Sequence, residues 1–339
     1  MNSVLNTVLQ ITLFDSQEVN SGFRNMERRL SITYSVLSIS IIIAAYFVAN
    51  GLLPAFNPVT RLDTIVYHVC ENEEVGNVTM HVPNVAAVYQ QILAANNGKY
   101  PNVLLFPTYA GNWDDEFAWL RDNFGGVNGI PIMFEVFCPG DNNFFKLTLE
   151  QISAVIEVCN VKWLRFAEVI SFSLNETQNL PFATEYVSTI LSFCRDHNLR
   201  LFWTEWKVDH PDVQTFQAIK NYIKGFEDIV TVSFSTNSGE MEPAEGFAYM
   251  NSLFPHWGGS VQSWYYETRL RSRLENYSGP IIEEESRNMP ISLLLNHALL
   301  CRKMGAEVIQ FEPYWYFFGD TDGKARDSFN LIHYYLNMD

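Results

Sequence analysis

From residue 64 to its C-terminus the chain repeats one pattern eight times: a short apolar run, then a stretch with helical periodicity. The runs begin near 64, 102, 130, 161, 199, 229, 260 and 307, so successive starts lie 28 to 47 residues apart. TIVYHVC, IPIMFEVFC, VKWLRFAE, LRLFWTEW and EVIQFEP are typical. They are almost continuously apolar, as strands buried on both faces are. The stretches between them, such as TLEQISAVIEVC and ISLLLNHALLCRKMGA, carry apolar residues three and four apart. Strand and helix in alternation build a parallel sheet. Eight units over roughly 275 residues match the size of a (β/α)8 TIM barrel. A doubly wound open sheet is the alternative. As a dinucleotide binder it would place a Gly-rich phosphate turn after the first strand, where this chain has the acidic ENEEVGN. The even spacing leaves residues 57–339 as one domain.

Ahead of the barrel, residues 31–60 carry no charge. The segment SVLSISIIIAAYFVANGLLPAF is long enough to cross a bilayer as a helix, which takes about 20 residues. Arg24, Arg28 and Arg29 precede it; Asp63, Glu71, Glu73 and Glu74 follow Arg61 on the other side. The basic flank tends to stay in the cytoplasm. The expectation is therefore a short cytoplasmic tail (1–30), a single transmembrane helix (31–56), and a barrel (57–339) outside the cell or in a lumen. A cleaved signal peptide is the competing reading, although no small-x-small cleavage site stands out. The sequons at Asn77, Asn175 and Asn276 agree with an exported, glycosylated domain.

The formal net charge is −16, and no cluster of Lys and Arg interrupts it. A nucleic-acid partner is excluded, because phosphate binding needs such a cluster. Of 339 residues, 25 are Phe, 16 Tyr and 8 Trp. Most belong to a core of this size; some can face a ligand whose apolar C–H faces pack on rings. The five cysteines have no CxxC pairing and no zinc-site spacing, and read as buried thiols. No HExxH, P-loop or G-x-S-x-G motif occurs. GDTDG at 319–323 reads as a loop without a ligand. No cofactor and no metal is expected.

Five predicted strands end in or near a glutamate: Glu135, Glu168, Glu205, Glu267 and Glu312. Barrel enzymes draw their reacting groups from the C-terminal ends of several strands. Glu168 and Glu267 close the fourth and seventh apolar runs, 99 residues apart. Trp113, Trp206, Trp264, Tyr265, Tyr314 and Trp315 follow or end strands close by, and Arg165 lies within the fourth.

On these residues the chain resembles the superfamily of (β/α)8-barrel glycoside hydrolases that carry catalytic acids on strands four and seven. The resemblance implies a glycosidase with Glu168 as acid/base and Glu267 as nucleophile. It implies a sugar cleft lined by Trp113, Glu135, Arg165, Glu205, Trp206, Trp264, Tyr265, Glu312, Tyr314 and Trp315. One departure stands beside it: that branch places Asn before the strand-four acid to bind the sugar 2-hydroxyl, and this chain has Ala167. Glu205 or Arg165 could supply that polar contact, or the chain could follow a related family with its own acid pairing. About 5 Å between the two carboxyl groups implies retention, and about 6.5–9.5 Å implies inversion. The rival readings are a membrane-tethered glycan-binding or surface-structural barrel with no acid pair, and a metal-dependent hydrolase. The latter needs His ligands at strand ends, where only His68 is well placed.

Overall fold

The computed structural model describes residues 62–73, 78–81, 84–97, 102–106, 113–126, 129–139, 144–170, 180–205, 213–236, 243–262, 290–312, 316–319 and 322–338. All belong to the unit Asn57–Asp339. The segment 31–56 lies outside them, as do the three sequon asparagines and most of the connection 270–290. Among the described residues no helix is long and apolar enough to cross a membrane.

Eight strands close into a parallel ring. They are β1 (Thr64–His68), β4 (Asn102–Phe106), β5 (Ile132–Pro139), β7 (Val161–Ala167), β8 (Arg200–Glu205), β9 (Val230–Ser235), β10 (Trp257–Gln262) and β11 (Val308–Glu312). Each pairs in parallel with the next in this order, and β11 returns to β1. Helices run between them: α1 (Val85–Asn96), α2 (Trp113–Phe124), α3 (Leu149–Val158), α4 (Leu180–Asp196), α5 (Val213–Tyr222), α6 (Pro243–Leu253) and α7 (Ile291–Lys303), with α8 (Asp327–Asn337) after β11. This is the eight-unit barrel that the spacing predicts. Its local causes are visible. Thr148 and Gln151 cap α3 reciprocally. Gly126 and Gly305 adopt the positive φ that helix ends commonly need.

Three short strands were not foreseen. β2 (Cys70–Glu73) and β3 (Val78–His81) form an antiparallel hairpin just after β1. β6 (Phe144–Lys146) folds back antiparallel on the extended end of β5. Both follow the C-terminal ends of barrel strands, the face where such barrels carry their sites.

Most of the core lies between sheet and helices, where Tyr67, Phe166, Trp203, Phe234 and Phe311 pack outward from their strands. Inside the ring a separate apolar cluster forms: Val66, Met133, Trp163, Phe202 and Val308. Below it, Arg200 stacks 4.2 Å over the Trp163 ring and reaches Glu307, which also binds His256 at 2.7 Å. Cys159, Cys194 and Cys301 are free and buried, as their apolar settings suggest.

Candidate functional site

Side chains alternate across a strand, so the residues two positions above the inner apolar cluster also face into the ring. Above Val66 stands His68; above Met133, Glu135; above Trp163, Arg165; above Phe202, Thr204; above Val308, Gln310 and then Glu312. The barrel interior thus changes from apolar at the bottom to polar at the C-terminal mouth. Every one of these polar residues is buried. A buried polar group needs partners: Thr204 finds Ser233 Oγ at 3.2 Å, and the others pair mainly among themselves.

Two connected sets result. Arg165 pairs with Glu135 on the neighbouring strand. On the β1, β10 and β11 side, three groups converge on one oxygen of Glu312. Gln262 Nε2 and Gln310 Nε2 each donate to Glu312 Oε2 at 2.9 Å, and His68 Nε2 lies 3.1 Å from it. Gln262 also donates to Ser260 Oγ at 2.9 Å, and Gln310 Nε2 lies 2.8 Å from His68 Nε2. Burial by itself raises the Glu312 pKa. The charges of His68 and Arg165, and the hydrogen bonds from His68 and Gln262, outweigh it and hold the carboxyl below the usual range. Glu312 thus favours its ionised form, with three groups gathered on Oε2.

Glu168 follows the last residue of β7 and is half-buried. Its backbone φ is +56°, the left-handed region. Asn84, Asn97 and Asn198 are the other non-glycine residues with positive φ among the described residues. Asparagine tolerates that region; a glutamate there is strained by roughly 1–2 kcal/mol. Strained residues of this kind cluster at active sites. The Glu168 N–H donates to Thr204 O at 2.8 Å, which ties the turn to β8.

Other expected site residues stand differently. Glu205 faces outward: its Oε1 accepts from Trp203 Nε1 and from the Ile170 N–H, both at 2.8 Å. That direction follows from strand parity, since Trp203 belongs to the core beneath the helices. Arg165 and Glu135 face inward as a buried ion pair made through one Arg165 Nη, while the buried Arg165 Nε has no hydrogen-bond partner among the described residues. Ala167 ends β7 buried and offers no donor. Trp113 opens α2, where Phe117 stacks on one face of the indole at 5.7 Å. Glu267, Trp206, Trp264, Tyr265, Tyr314 and Trp315 lie outside the described residues.

Gln262, Gln310 and Ser260 carry no motif in the sequence, and His68, at a strand end, lies buried in the interior. The available signal was polar residues two apart within apolar strands, as in Gln310-Phe311-Glu312 and Ser260-Val261-Gln262. Asp322 caps its own turn by accepting from Lys324 N at 3.0 Å. Among the described residues no three His, Cys, Asp or Glu side chains gather to hold a metal ion.

The chain matches no family model, and no curated protein is similar to it in sequence. Among solved structures it is similar to the catalytic module of a family 98 glycoside hydrolase from Streptococcus pneumoniae TIGR4. For the native form the TM-score is 0.53 at 12% identity, over 83% of this chain and 52% of that one. Complexes of the same module with the H-disaccharide and with the LewisY pentasaccharide blood group antigens each give 0.54, with the same coverage. The fold is shared with a glycoside hydrolase. The chain spans about half the length of that module, and a likeness at this identity concerns architecture. Barrels of this kind serve many chemistries, so function has to be argued from the site.

Proposed function

We propose that the protein is a glycoside hydrolase whose general acid is Glu168. The observation that carries this reading is the left-handed backbone of Glu168, a strained carboxylate at the C-terminal end of the fourth barrel strand. The similarity in fold to a barrel solved with bound glycans adds support for a carbohydrate ligand.

In this reading Glu168 gives its proton to the glycosidic oxygen as the bond to the anomeric carbon breaks. Glu267, at the end of the seventh apolar run, attacks that carbon. Water then releases the sugar, and its proton returns to Glu168. With Ala167 offering no side-chain donor, contacts to the sugar hydroxyls fall to other residues of the mouth. The segment 31–56 would anchor the chain, with the basic flank in the cytoplasm. Protease protection of intact vesicles tests that orientation.

The direct test is hydrolysis of a glycan panel by the full chain, beside Glu168→Gln and Glu267→Gln. Glu168→Gln is expected to lower turnover by about 10²-fold or more. Full activity in both variants refutes the assignment. Glycan binding without hydrolysis by the wild type would identify a non-catalytic barrel instead.

A further inference from the structure

We propose that Glu205 is a positioning residue for Glu168, fixing the backbone turn that brings this acid to the mouth. The inference rests on the reading of Glu168 as the general acid. Glu205 is the last residue of β8 and fully buried. A carboxylate in such a place is costly unless it accepts hydrogen bonds. Its Oε1 takes two N–H groups. One is the indole of Trp203, which holds the carboxyl against the core; the other is the backbone N–H of Ile170. Two residues before Ile170, the Glu168 N–H donates to the carbonyl of Thr204, the residue before Glu205. The turn 168–170 is thus bound at both ends to the last two residues of β8.

Between those two bonds sits the strained φ of +56°. A left-handed glutamate relaxes toward an ordinary conformation unless its neighbours hold it. Ile170 is itself buried, so its N–H needs an acceptor within the protein. Glu205 Oε1 supplies one. Removing it frees residue 170 and lets Glu168 leave the left-handed region. The carboxyl would then swing by more than the roughly 1 Å that is enough to cost about 10²-fold in rate.

The test compares 4-nitrophenyl with 2,4-dinitrophenyl glycosides on the full chain, because the dinitrophenolate leaves without needing a proton. Glu168→Gln should lose kcat/KM on the first kind of substrate and keep most of it on the second, because kcat/KM reports bond cleavage and not the later water step in which Glu168 takes up a proton. Glu205→Ala should show the same split, with kcat/KM on 4-nitrophenyl glycosides down by about 10- to 100-fold. Glu205→Gln keeps a carbonyl oxygen for both donors and should behave nearly as wild type. A Glu205→Ala protein that is folded by circular dichroism but loses both substrates equally, or neither, overturns the positioning role. Absence of the split in Glu168→Gln instead overturns the acid assignment on which it rests. If the wild type turns over none of these glycosides, amide hydrogen exchange at residues 168–170 decides. Faster exchange in Glu205→Ala, restored in Glu205→Gln, supports the proposal; no change in either variant overturns it.

Discussion

Glu168 carries a conformational cost that folding alone would have removed by substitution. Asparagine tolerates the left-handed region, so Glu168→Asn is expected to keep stability or raise it by up to ~1 kcal/mol. Activity should fall at the same time. A large loss in thermal unfolding temperature would show that the carboxyl has a structural role instead. Arg165 and Glu135 are the opposite case, a buried pair whose members neutralise each other. Arg165→Met leaves Glu135 as a buried charge without its partner and should cost about 3–5 kcal/mol in denaturant unfolding. The double variant Arg165→Met with Glu135→Gln should recover part of that loss. Reading single residues from sequence had limited reach. The five strand-end glutamates were visible, but Glu135, Glu205 and Glu312 looked alike. They differ in what lies opposite: an arginine, an indole with a backbone N–H, and a histidine with two amides.

The elements themselves were largely legible. Seven of the eight barrel strands begin within two residues of the predicted starts. The exception is β10, which begins at Trp257 rather than 260 because Gly258 and Gly259 interrupt the apolar run. The structure explains these glycines. A Cβ on Gly258 would lie 2.7 Å from Val308 O, and one on Gly259 2.4 Å from Cys301 Sγ. The strand needs close approach to β11 and α7 more than it needs side chains there. Gly246 on α6 shows the same requirement, since a Cβ there would come within 2.3 Å of the Phe234 ring. Gly246→Ala is therefore expected to destabilise by about 1–3 kcal/mol, despite the better helix propensity of alanine. A rise in melting temperature would show that the ring can move aside. The hairpin β2–β3 and strand β6 escaped the periodicity because they are only three or four residues long. They also pair antiparallel, outside the barrel repeat.

For the whole molecule, closure of the ring makes acid stability a property of two distant interior sites. Against α8, Tyr67 and His333 share a hydrogen bond at 2.7 Å among Phe311, Phe318 and Phe329. Burial pushes the His333 pKa down from 6.5 to about 4. The unfolded chain takes up this proton first, so stability is complete above pH 6.5 and falls as the pH drops toward 4. The total is on the order of 3 kcal/mol. The lowered Glu312 pKa acts further down: its contribution holds above pH 4.5 and is lost below it. Melting temperatures between pH 7 and 4 should decline in the wild type, and much less over that span in His333→Phe. Equal decline in both would assign the loss to other groups. The chain's own periodicity dictates the kind, number and order of the eight barrel units, though not of the three short antiparallel strands. That periodicity acts along a local stretch of chain. Which polar residues share the interior was decided only by the tertiary structure. A side chain's face depends on strand parity and stagger around the ring. Its partners come from strands far away in sequence, as His68 and Gln310 do across 242 residues. The acids at the strand ends could be read from the chain. That Glu312 is held ionised, Glu205 turned outward and Glu168 strained at the mouth came from closing the ring, because only closure sets which charges and hydrogen-bond donors meet.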